Sequence, residues 1–488
     1  MAYFSFLGHP MNVKRCVSFL VVCLITFAIA LVPTSFFGVD SQTSEPIFTL
    51  TQQRVIAIFV FTALMWILEV IPTWTTSVVA IVSILLTTSN KGLAFLINKE
   101  NVGSLTHYKD IMASFADPVI MLFLGGFVLA FAATKVGLDV QLAKVMLKPF
   151  GKNPKTVLLG VLLVIGVFSM FMSNTATAAM MLTFLTPVLA TLPKDGGGRI
   201  SLALAIPIAA NIGGMGTPIG TPPNAIALGA LNEAGFEINF LDWMIRMVPF
   251  VLVMLLIAWL ILMKMYPFKA KTIELKIESG DIKATPFQKY VVWVTFAITI
   301  FLWVFEGVFK INSNIVAMIP FAVFSATGIL KARELDQINW SVLWMVAGGF
   351  ALGTALNQTG LAANLIKHIP FTEWNAIVVM IVGGLICYFL SNFISNSASA
   401  NLVVPILIVV GTAMKGIPSF EALGGVPAMI IGVAIAASVA MCLPVSTPPN
   451  ALAHSTGMIT TKQMTTVGII IGVIGLTLGY LMLIFIGF

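Results

Sequence analysis

Charge is scarce in this chain of 488 residues. Asp, Glu, Lys and Arg make up only 9% of it, whereas hydrophobic side chains make up 59%. Soluble domains carry about 25% charged residues, so these few charges could not cover a soluble body of this size. The mean hydropathy of +1.02 agrees. The composition excludes a soluble enzyme and predicts a polytopic α-helical membrane protein.

Residues that commonly carry chemistry are scarce as well. The cysteines Cys16, Cys23, Cys387 and Cys442 lie in apolar segments without pairing or zinc spacing, so we expect buried thiols. The sequence contains no metal-protease motif and no intramembrane Ser-His or paired-Asp arrangement. An integral-membrane enzyme would need a nucleophile–base pair or a metal cluster, and we therefore expect no enzyme activity.

Apolar segments close to the ~20 residues of a spanning helix recur along the chain. Two longer stretches, about 156–190 and 374–413, are each broken by a polar cluster, which is typical of a re-entrant hairpin or of two short crossings. Lys14 and Arg15 predict a cytoplasmic N-terminus, and the resulting topology places the C-terminus outside. We expect two hairpins and eleven spans, the latter near 16–37, 53–72, 74–88, 118–142, 201–236, 241–265, 287–309, 313–331, 341–360, 425–460 and 465–488.

Motifs that occur twice in the same order indicate an internal duplication. Phe-Leu-Gly-Gly-Phe at 123–127 returns as Val-Ala-Gly-Gly-Phe at 346–350, and Gly-Leu at 137–138 returns at 360–361. Ser-Asn-Thr at 173–175 returns as Ser-Asn-Ser at 395–397, and Thr-Pro-Pro-Asn at 221–224 returns unchanged at 447–450. The spacing is nearly constant, which favours two related halves.

An odd number of expected spans separates the two Gly-Gly motifs, so the halves should insert with opposite orientation. Inverted repeats with matched interruptions are an architecture of secondary transporters. We therefore divide the chain into an N-terminal segment with the first transmembrane helix, a first inverted repeat, a cytoplasmic linker and a second inverted repeat, at 1–50, 51–265, 266–286 and 287–488.

Each half contains a helix that the sequence interrupts. The stretch 213–220 is rich in glycine and contains a proline, so it cannot stay helical. Thr221 and Pro222 suit the N-cap and the first position of a new half-helix, as do Thr447 and Pro448. A half-helix that begins at membrane depth exposes N–H groups and a positive dipole end, which suit an anion.

The Ser-Asn-Thr and Ser-Asn-Ser clusters place hydroxyl and amide oxygens at the tips of the two broken stretches. Ser169 and Ser391 lie four residues before Ser173 and Ser395 and share a helix face with them. Such oxygens, with carbonyls at a half-helix end, suit a cation. The lack of a nearby carboxylate favours Na⁺ over Ca²⁺, or no metal at all. The alternative is that Ser and Asn only join helices, but duplication in register favours function.

These motifs resemble those of the divalent anion/sodium symporter family, which moves Krebs-cycle dicarboxylates. The resemblance covers roughly residues 50 to 488 and rests on the motifs at 173–175, 395–397, 220–224 and 446–450. It implies eleven spans and two hairpins in a homodimer. A scaffold would hold the dimer while a transport part carries the substrate in an elevator-type motion.

The resemblance also implies two sodium sites and one substrate site. The sodium ligands would be Ser169, Ser173, Asn174 and the Gly220 carbonyl in one site, and Ser391, Asn396 and the carbonyls of Ile394 and Ser446 in the other. Substrate carboxylates would contact Asn174, Thr175, Thr221, Ser395, Asn396, Ser397, Thr447 and Pro448. Ser397 stands where the family usually has threonine, which keeps the hydroxyl, removes a methyl and bears on substrate size.

The leading hypothesis is a sodium-coupled symporter for succinate, malate or fumarate, with at least two Na⁺ sites, in a bacterial inner membrane. Bound Na⁺ would supply the positive charge that the motifs lack. A sodium-independent exchanger of dicarboxylate and 2-oxoglutarate stays open, with His454 as the possible substitute cation. Transport of citrate or sulfate and an anion channel stay open too. We expect membrane lipid and a second copy of the chain as partners, and no nucleic acid.

Overall fold

The computed structural model describes residues 4–6, 9–11, 13–39, 44–193, 196–273 and 284–487. Within them the protein is a bundle of α-helices, preceded by an antiparallel pair of three-residue strands, Phe4–Phe6 and His9–Met11. The helical segments long and apolar enough to cross a membrane are Val13–Leu31, Leu50–Leu68, Tyr108–Val136, Pro154–Phe171, Phe240–Met265, Pro286–Val304, Trp340–Gln358, Ala376–Phe393, Asn396–Met414 and Thr461–Phe485. The expected all-α, multi-pass membrane architecture is confirmed.

Further helices complete the bundle. The further α-helices are Thr73–Thr87, Ala94–Ile97, Asn174–Thr191, Leu138–Leu147, Gly197–Gly214, Pro222–Glu233, Glu306–Phe309, Ser313–Val316, Met318–Ala326, Leu361–His368, Pro418–Glu421, Gly425–Val439 and Pro448–Ser455. Tyr108–Val136 divides into Tyr108–Ala113, Ser114–Ala116 (a 3₁₀ turn) and Pro118–Val136. Other 3₁₀ turns are Thr34–Phe37, Lys148–Phe150, Ala332–Gln337 and Phe371–Glu373. Each of the eleven expected spans coincides with a helix or with two consecutive helices.

Both long stretches with a polar cluster form helical hairpins. Pro154–Phe171 and Asn174–Thr191 are the first hairpin, and Ala376–Phe393 and Asn396–Met414 are the second hairpin. The turn forms because the motif serine caps the helix that follows it. Ser173 Oγ accepts the N–H of Ala176 at 3.2 Å, and the serine at the second tip makes the same contact at 3.2 Å.

Both expected breaks are present as well. Gly197–Gly214 and Pro222–Glu233 form the first broken pair, and Gly425–Val439 and Pro448–Ser455 form the second broken pair. Within each pair the second helix begins at the first proline of Thr-Pro-Pro-Asn, where proline lacks the N–H that a helix start leaves unpaired. The hairpins and broken pairs pack against one another, so the four interruptions lie in the protein interior.

The Gly-Gly motifs allow close helix packing at equivalent places in the two halves. A Cβ on Gly125 would overlap the carbonyl of Ala317, and a Cβ on Gly348 would overlap the side chain of Ser77. Pro118–Val136 thereby packs on the segment that contains Ala317, and Trp340–Gln358 packs on Thr73–Thr87. Small residues at such contacts let membrane helices approach each other closely.

We expect Gly125→Ala to destabilise the protein by about 1–3 kcal/mol, because the added methyl must push two backbones apart. Gly307→Ala is the matched control, since a Cβ added there has no atom within 4 Å apart from its own local backbone and its chain neighbours. The measurement is the thermal unfolding midpoint of each purified variant in detergent. Equal midpoints for the two variants would contradict the packing role of the motif.

Candidate functional site

The two hairpin tips and the two broken pairs meet at a cavity of about 230 Å³. The helices that begin at Asn174, Pro222, Asn396 and Pro448 all present their first residues to it. The lining residues are Thr73, Phe123, Phe127, Ser173, Asn174, Thr175, Asn211, Ile219, Gly220, Thr221, Pro222, Asn339, Ser341, Val342, Met345, Ser395, Asn396, Ser397, Ser446, Thr447, Pro448 and Pro449.

This cavity is polar but carries no formal charge. Among the described residues that line it, none is Lys, Arg, His, Asp or Glu. Four helix N-termini converge there, and each contributes roughly half a positive charge from the helix dipole. The geometry therefore suits a small anion with more than one acceptor group.

The residues assigned to substrate from the resemblance all line this cavity. Of the residues assigned to sodium, Ser173, Asn174, Gly220, Asn396 and Ser446 line it. The remaining three, Ser169, Ser391 and Ile394, are buried beside it at the ends of the first hairpin helices. The structure thus gathers the predicted set around one place, while the role of each residue stays a prediction.

The asparagine of Thr-Pro-Pro-Asn closes the break that precedes it. In the first broken pair, Asn224 Nδ2 donates to the carbonyls of Gly214 at 3.1 Å and Thr217 at 2.8 Å. In the second, Asn450 Nδ2 donates to the carbonyls of Met441 at 2.8 Å and Leu443 at 2.9 Å. These carbonyls have lost their helical partners and have no water at membrane depth, so a side-chain amide must satisfy them.

Hydroxyl groups in the same breaks join them to the hairpin tips. Thr217 Oγ1 donates to the carbonyl of Met170, near the end of the first hairpin's first helix. Ser446 Oγ donates to the carbonyl of Asn392 at 2.8 Å, at the equivalent place in the second hairpin. Each tip and its neighbouring break are thus held as one unit.

Oxygen atoms crowd together beside the first tip. Asn174 Oδ1 lies 2.6 Å from Ser169 Oγ, and carbonyl oxygens of Ala210 and Gly220 lie 3.1 Å from the same amide atom. Ser169 Oγ also lies 2.7 Å from the Ala210 carbonyl, so one hydroxyl proton faces two acceptors. With the amide turned by 180°, Asn174 Nδ2 donates to Ser169 Oγ and to the carbonyls of Ala210 and Gly220, which satisfies these contacts without an ion. Hydroxyl and carbonyl oxygens of this kind are also ligands for a hard cation.

The second tip carries buried oxygens that are poorly satisfied. In the described part of the chain Asn396 Oδ1 has no hydrogen-bond partner, and Ser391 Oγ has only the neighbouring Cys387 thiol, which hydrogen-bonds weakly. A buried acceptor left unpaired costs about 1–3 kcal/mol. A bound cation or an ordered water would remove that cost.

Comparison with known proteins identifies the family of this chain. A family model described as "Citrate transporter" matches residues 63–424. The chain belongs to that family. The resemblance expected from the motifs is thereby confirmed, and the protein is a membrane transporter and not an enzyme.

Individual relatives of the transporter cover most of its length. It is 30% identical over 452 residues to the sodium-dependent dicarboxylate transporter SdcS of Staphylococcus saprophyticus, across 85% of this chain and 82% of that protein. It is 32% identical over 404 residues to an uncharacterized transporter of Haemophilus influenzae, across 77% and 84%. The crystal structure of the Alcanivorax borkumensis YdaH transporter shares the fold, with a TM-score of 0.55 at 12% identity over 98% of this chain and 99% of that one.

Sequence reasoning missed several residues of the transporter's cavity. Phe123 and Phe127, whose rings lie edge to face with centroids 5.7 Å apart, line it from the first Gly-Gly motif. Asn211 lines it as well. The sequence carries a signal for this residue, because Asn211 is the one polar residue in the apolar stretch 202–214. His454 does not line the cavity, and its Nε2 lies 3.1 Å from Thr461 Oγ1.

We expect Asn224→Ala to lower the stability of the transporter by about 1–3 kcal/mol, because it leaves buried carbonyls of the break without a donor. Asn232→Ala is the matched control, since Asn232 is exposed on the same helix. Thermal unfolding in detergent compares the two variants. A midpoint for Asn224→Ala equal to that of the control would mean that the break does not depend on this amide.

Proposed function

We propose that the transporter is a sodium-coupled symporter that imports C4 dicarboxylates such as succinate, malate and fumarate across a bacterial inner membrane. The observation that carries the proposal is the uncharged cavity at which four helix N-termini meet between two groups of buried oxygens. The name of the relative SdcS, a sodium-dependent dicarboxylate transporter, supports the same substrate class.

The charges of such a substrate explain why sodium would be needed. Two carboxylates bring two negative charges into a cavity without a lysine or arginine among its lining residues. Helix N-termini and hydroxyls orient the anion, but burying an unpaired charge is strongly unfavourable. Na⁺ beside each tip would compensate, so that anion and cations bind well only together. That mutual dependence couples uptake to the sodium gradient.

We assign one sodium ion to each tip. The first would be held by Ser169, Ser173, Asn174 and the Gly220 carbonyl, and the carbonyl of Ala210 lies close enough to contribute. The second would be held by Ser391, Asn396 and the carbonyls of Ile394 and Ser446. The substrate would lie between the tips, with one carboxylate toward Asn174, Thr175 and Thr221 and the other toward Ser395, Asn396, Ser397, Thr447 and Pro448.

For the transport step we propose an elevator-type motion in a homodimer of inverted repeats. The hairpins and broken pairs pack together with Phe240–Met265 and Thr461–Phe485, which gives a candidate moving part. Two short helices, Leu138–Leu147 and Leu361–His368, connect this part to the Gly-Gly helices. Each follows a glycine with φ near +71°, a conformation that turns the chain sharply at the end of a helix.

Citrate is a second candidate substrate. The family model carries the description "Citrate transporter", and Ser397 leaves more room in the cavity than a threonine would. Citrate is therefore included as a competitor in the uptake experiment.

The deciding experiment is uptake of radiolabelled succinate into proteoliposomes, with an inward Na⁺ gradient against matched K⁺ or choline. Uptake that requires Na⁺ and responds to membrane voltage is expected. Uptake indifferent to Na⁺ but dependent on internal dicarboxylate would replace symport by exchange. A steady current above ~10⁴ ions per second would indicate a channel. Uptake of citrate but not of succinate would replace the dicarboxylate by citrate as the proposed substrate.

We expect Asn174→Ala and Asn396→Ala each to abolish Na⁺-driven uptake while leaving the fold intact, because each side chain is assigned to a sodium ion and to the substrate. Uptake rates are measured in proteoliposomes, and folding is checked by the elution profile and unfolding midpoint of the purified variant. Wild-type uptake by either variant would refute the site assignment.

A finer test addresses the second sodium site. Ser391→Ala should raise the Na⁺ concentration for half-maximal uptake about tenfold, because it removes an uncharged ligand worth roughly 1–2 kcal/mol. Ser399→Ala is the control: this serine is equally buried in the second hairpin, but its hydroxyl donates to the Ser395 carbonyl at 3.3 Å. Similar shifts in both variants would place the sodium elsewhere.

A further inference from the structure

Asn211 joins the two halves of the transporter at the cavity. It lies in Gly197–Gly214 of the first broken pair and is 1% exposed. Its Nδ2 lies 3.1 Å from Thr447 Oγ1 and 3.1 Å from Asn450 Oδ1, both at the start of the second half-helix of the other half. Its own Oδ1 is buried and has no partner among the residues that the structure describes. An apolar residue would avoid that unpaired oxygen but would leave Asn450 Oδ1 without its donor.

The orientation of this amide follows from its neighbours. The carbonyls of Met441 and Leu443 can only accept, so Asn450 must turn its Nδ2 toward them. Asn450 Oδ1 then faces Asn211 and can only accept. Asn211 must therefore turn its Nδ2 toward Asn450 Oδ1. The same Nδ2 then donates its second hydrogen to Thr447 Oγ1.

These contacts determine the direction of the Thr447 hydroxyl. Its oxygen accepts from Asn211 Nδ2 at 3.1 Å and from the backbone N–H of Asn450 at 3.3 Å. A hydroxyl has two acceptor positions and one proton, so both acceptor positions are filled. The proton remains available as a donor, and Thr447 lines the cavity. A carboxylate is a suitable acceptor there, whereas a cation would meet a hydroxyl whose lone pairs are already used.

Among the described residues, Thr221 of the first half has no side-chain amide that corresponds to Asn211. The two Thr-Pro-Pro-Asn motifs are 226 residues apart, so the position in the second half that corresponds to Asn211 is Ala437, which has no polar side chain. Thr221 makes no side-chain capping bond at its helix start, unlike Thr447. The two threonines therefore differ, although their motifs are identical.

We propose that Asn211 is a positioning residue that fixes the Thr447 hydroxyl as a donor to a substrate carboxylate, which makes the second half-helix the more selective anion contact. This inference rests on the proposed function, since it deepens the substrate site. Asn211 acts through Thr447 and not on the substrate itself.

The test is a double-mutant cycle on Na⁺-driven succinate uptake. The variants are Asn211→Leu, Thr447→Val and Thr221→Val, each alone, and Asn211→Leu combined with each of the two threonine changes. A hydrogen bond to a carboxylate is worth about tenfold or more in affinity. We expect Asn211→Leu and Thr447→Val each to raise KM about tenfold with kcat within twofold. Their combination should raise KM no further, because both act on one contact.

Thr221→Val is the internal control. Asn211 makes no hydrogen bond with Thr221, so the effects of Asn211→Leu and Thr221→Val should multiply. Asn211→Asp adds a second check: its carboxylate would accept the Thr447 proton, so KM should rise more than in Asn211→Leu. Unfolding midpoints and elution profiles accompany every variant.

The outcomes separate the two proposals. Absence of Na⁺-driven succinate uptake in the wild type would refute the proposed function and, with it, the donor role of Thr447. With wild-type uptake present, an unchanged KM in Asn211→Leu would overturn the inference. So would multiplicative effects of Asn211→Leu and Thr447→Val, or a loss confined to kcat.

Discussion

Backbone groups inside a membrane must find partners within the protein, and this requirement shapes the whole structure. Two helices break at depth, which leaves carbonyls and N–H groups without helical partners. Asn224 and Asn450 satisfy the carbonyls with side-chain amides, and the surrounding hairpins keep lipid away. The second half-helices begin with prolines, so they turn a positive dipole end and no N–H of their first two residues toward the cavity. An anion site remains because side chains satisfy the carbonyls of each break but leave the start of the second half-helix open to the cavity.

The electrostatics of the cavity also depend on the helix starts. Partial charges from four helix starts replace the lysine or arginine that a soluble anion-binding protein would use. Partial charges attract an anion without trapping it, which suits a protein that must also release its cargo. The nearby oxygen groups, at Ser169 and Asn174 and at Ser391 and Asn396, lie behind the tips and add no fixed charge. Charge therefore has to arrive with the ligands.

Local sequence signals predicted the helices, the breaks and the tips, because hydropathy, proline, glycine and capping residues act over a few neighbouring positions. Contacts across the chain were less accessible. The Ala210 carbonyl has no side-chain signature, and Phe123 and Phe127 look like ordinary packing residues in sequence. Asn211 stood out as polar, but only the folded structure brings it to Thr447. Identical Thr-Pro-Pro-Asn motifs gave no indication that their hydroxyls differ.

The amide closures also bear on how such a chain is made. The cavity needs residues from both halves, so it cannot exist until the second Thr-Pro-Pro-Asn segment has left the ribosome, and pairings so distant in sequence form late. Within the described part of the chain, the Asn224 side chain bonds only to carbonyls of its own break. The first half can therefore satisfy this interruption while it waits in the bilayer, without help from the second half. Self-contained closure of each break makes stepwise membrane insertion compatible with a site that is shared between the halves.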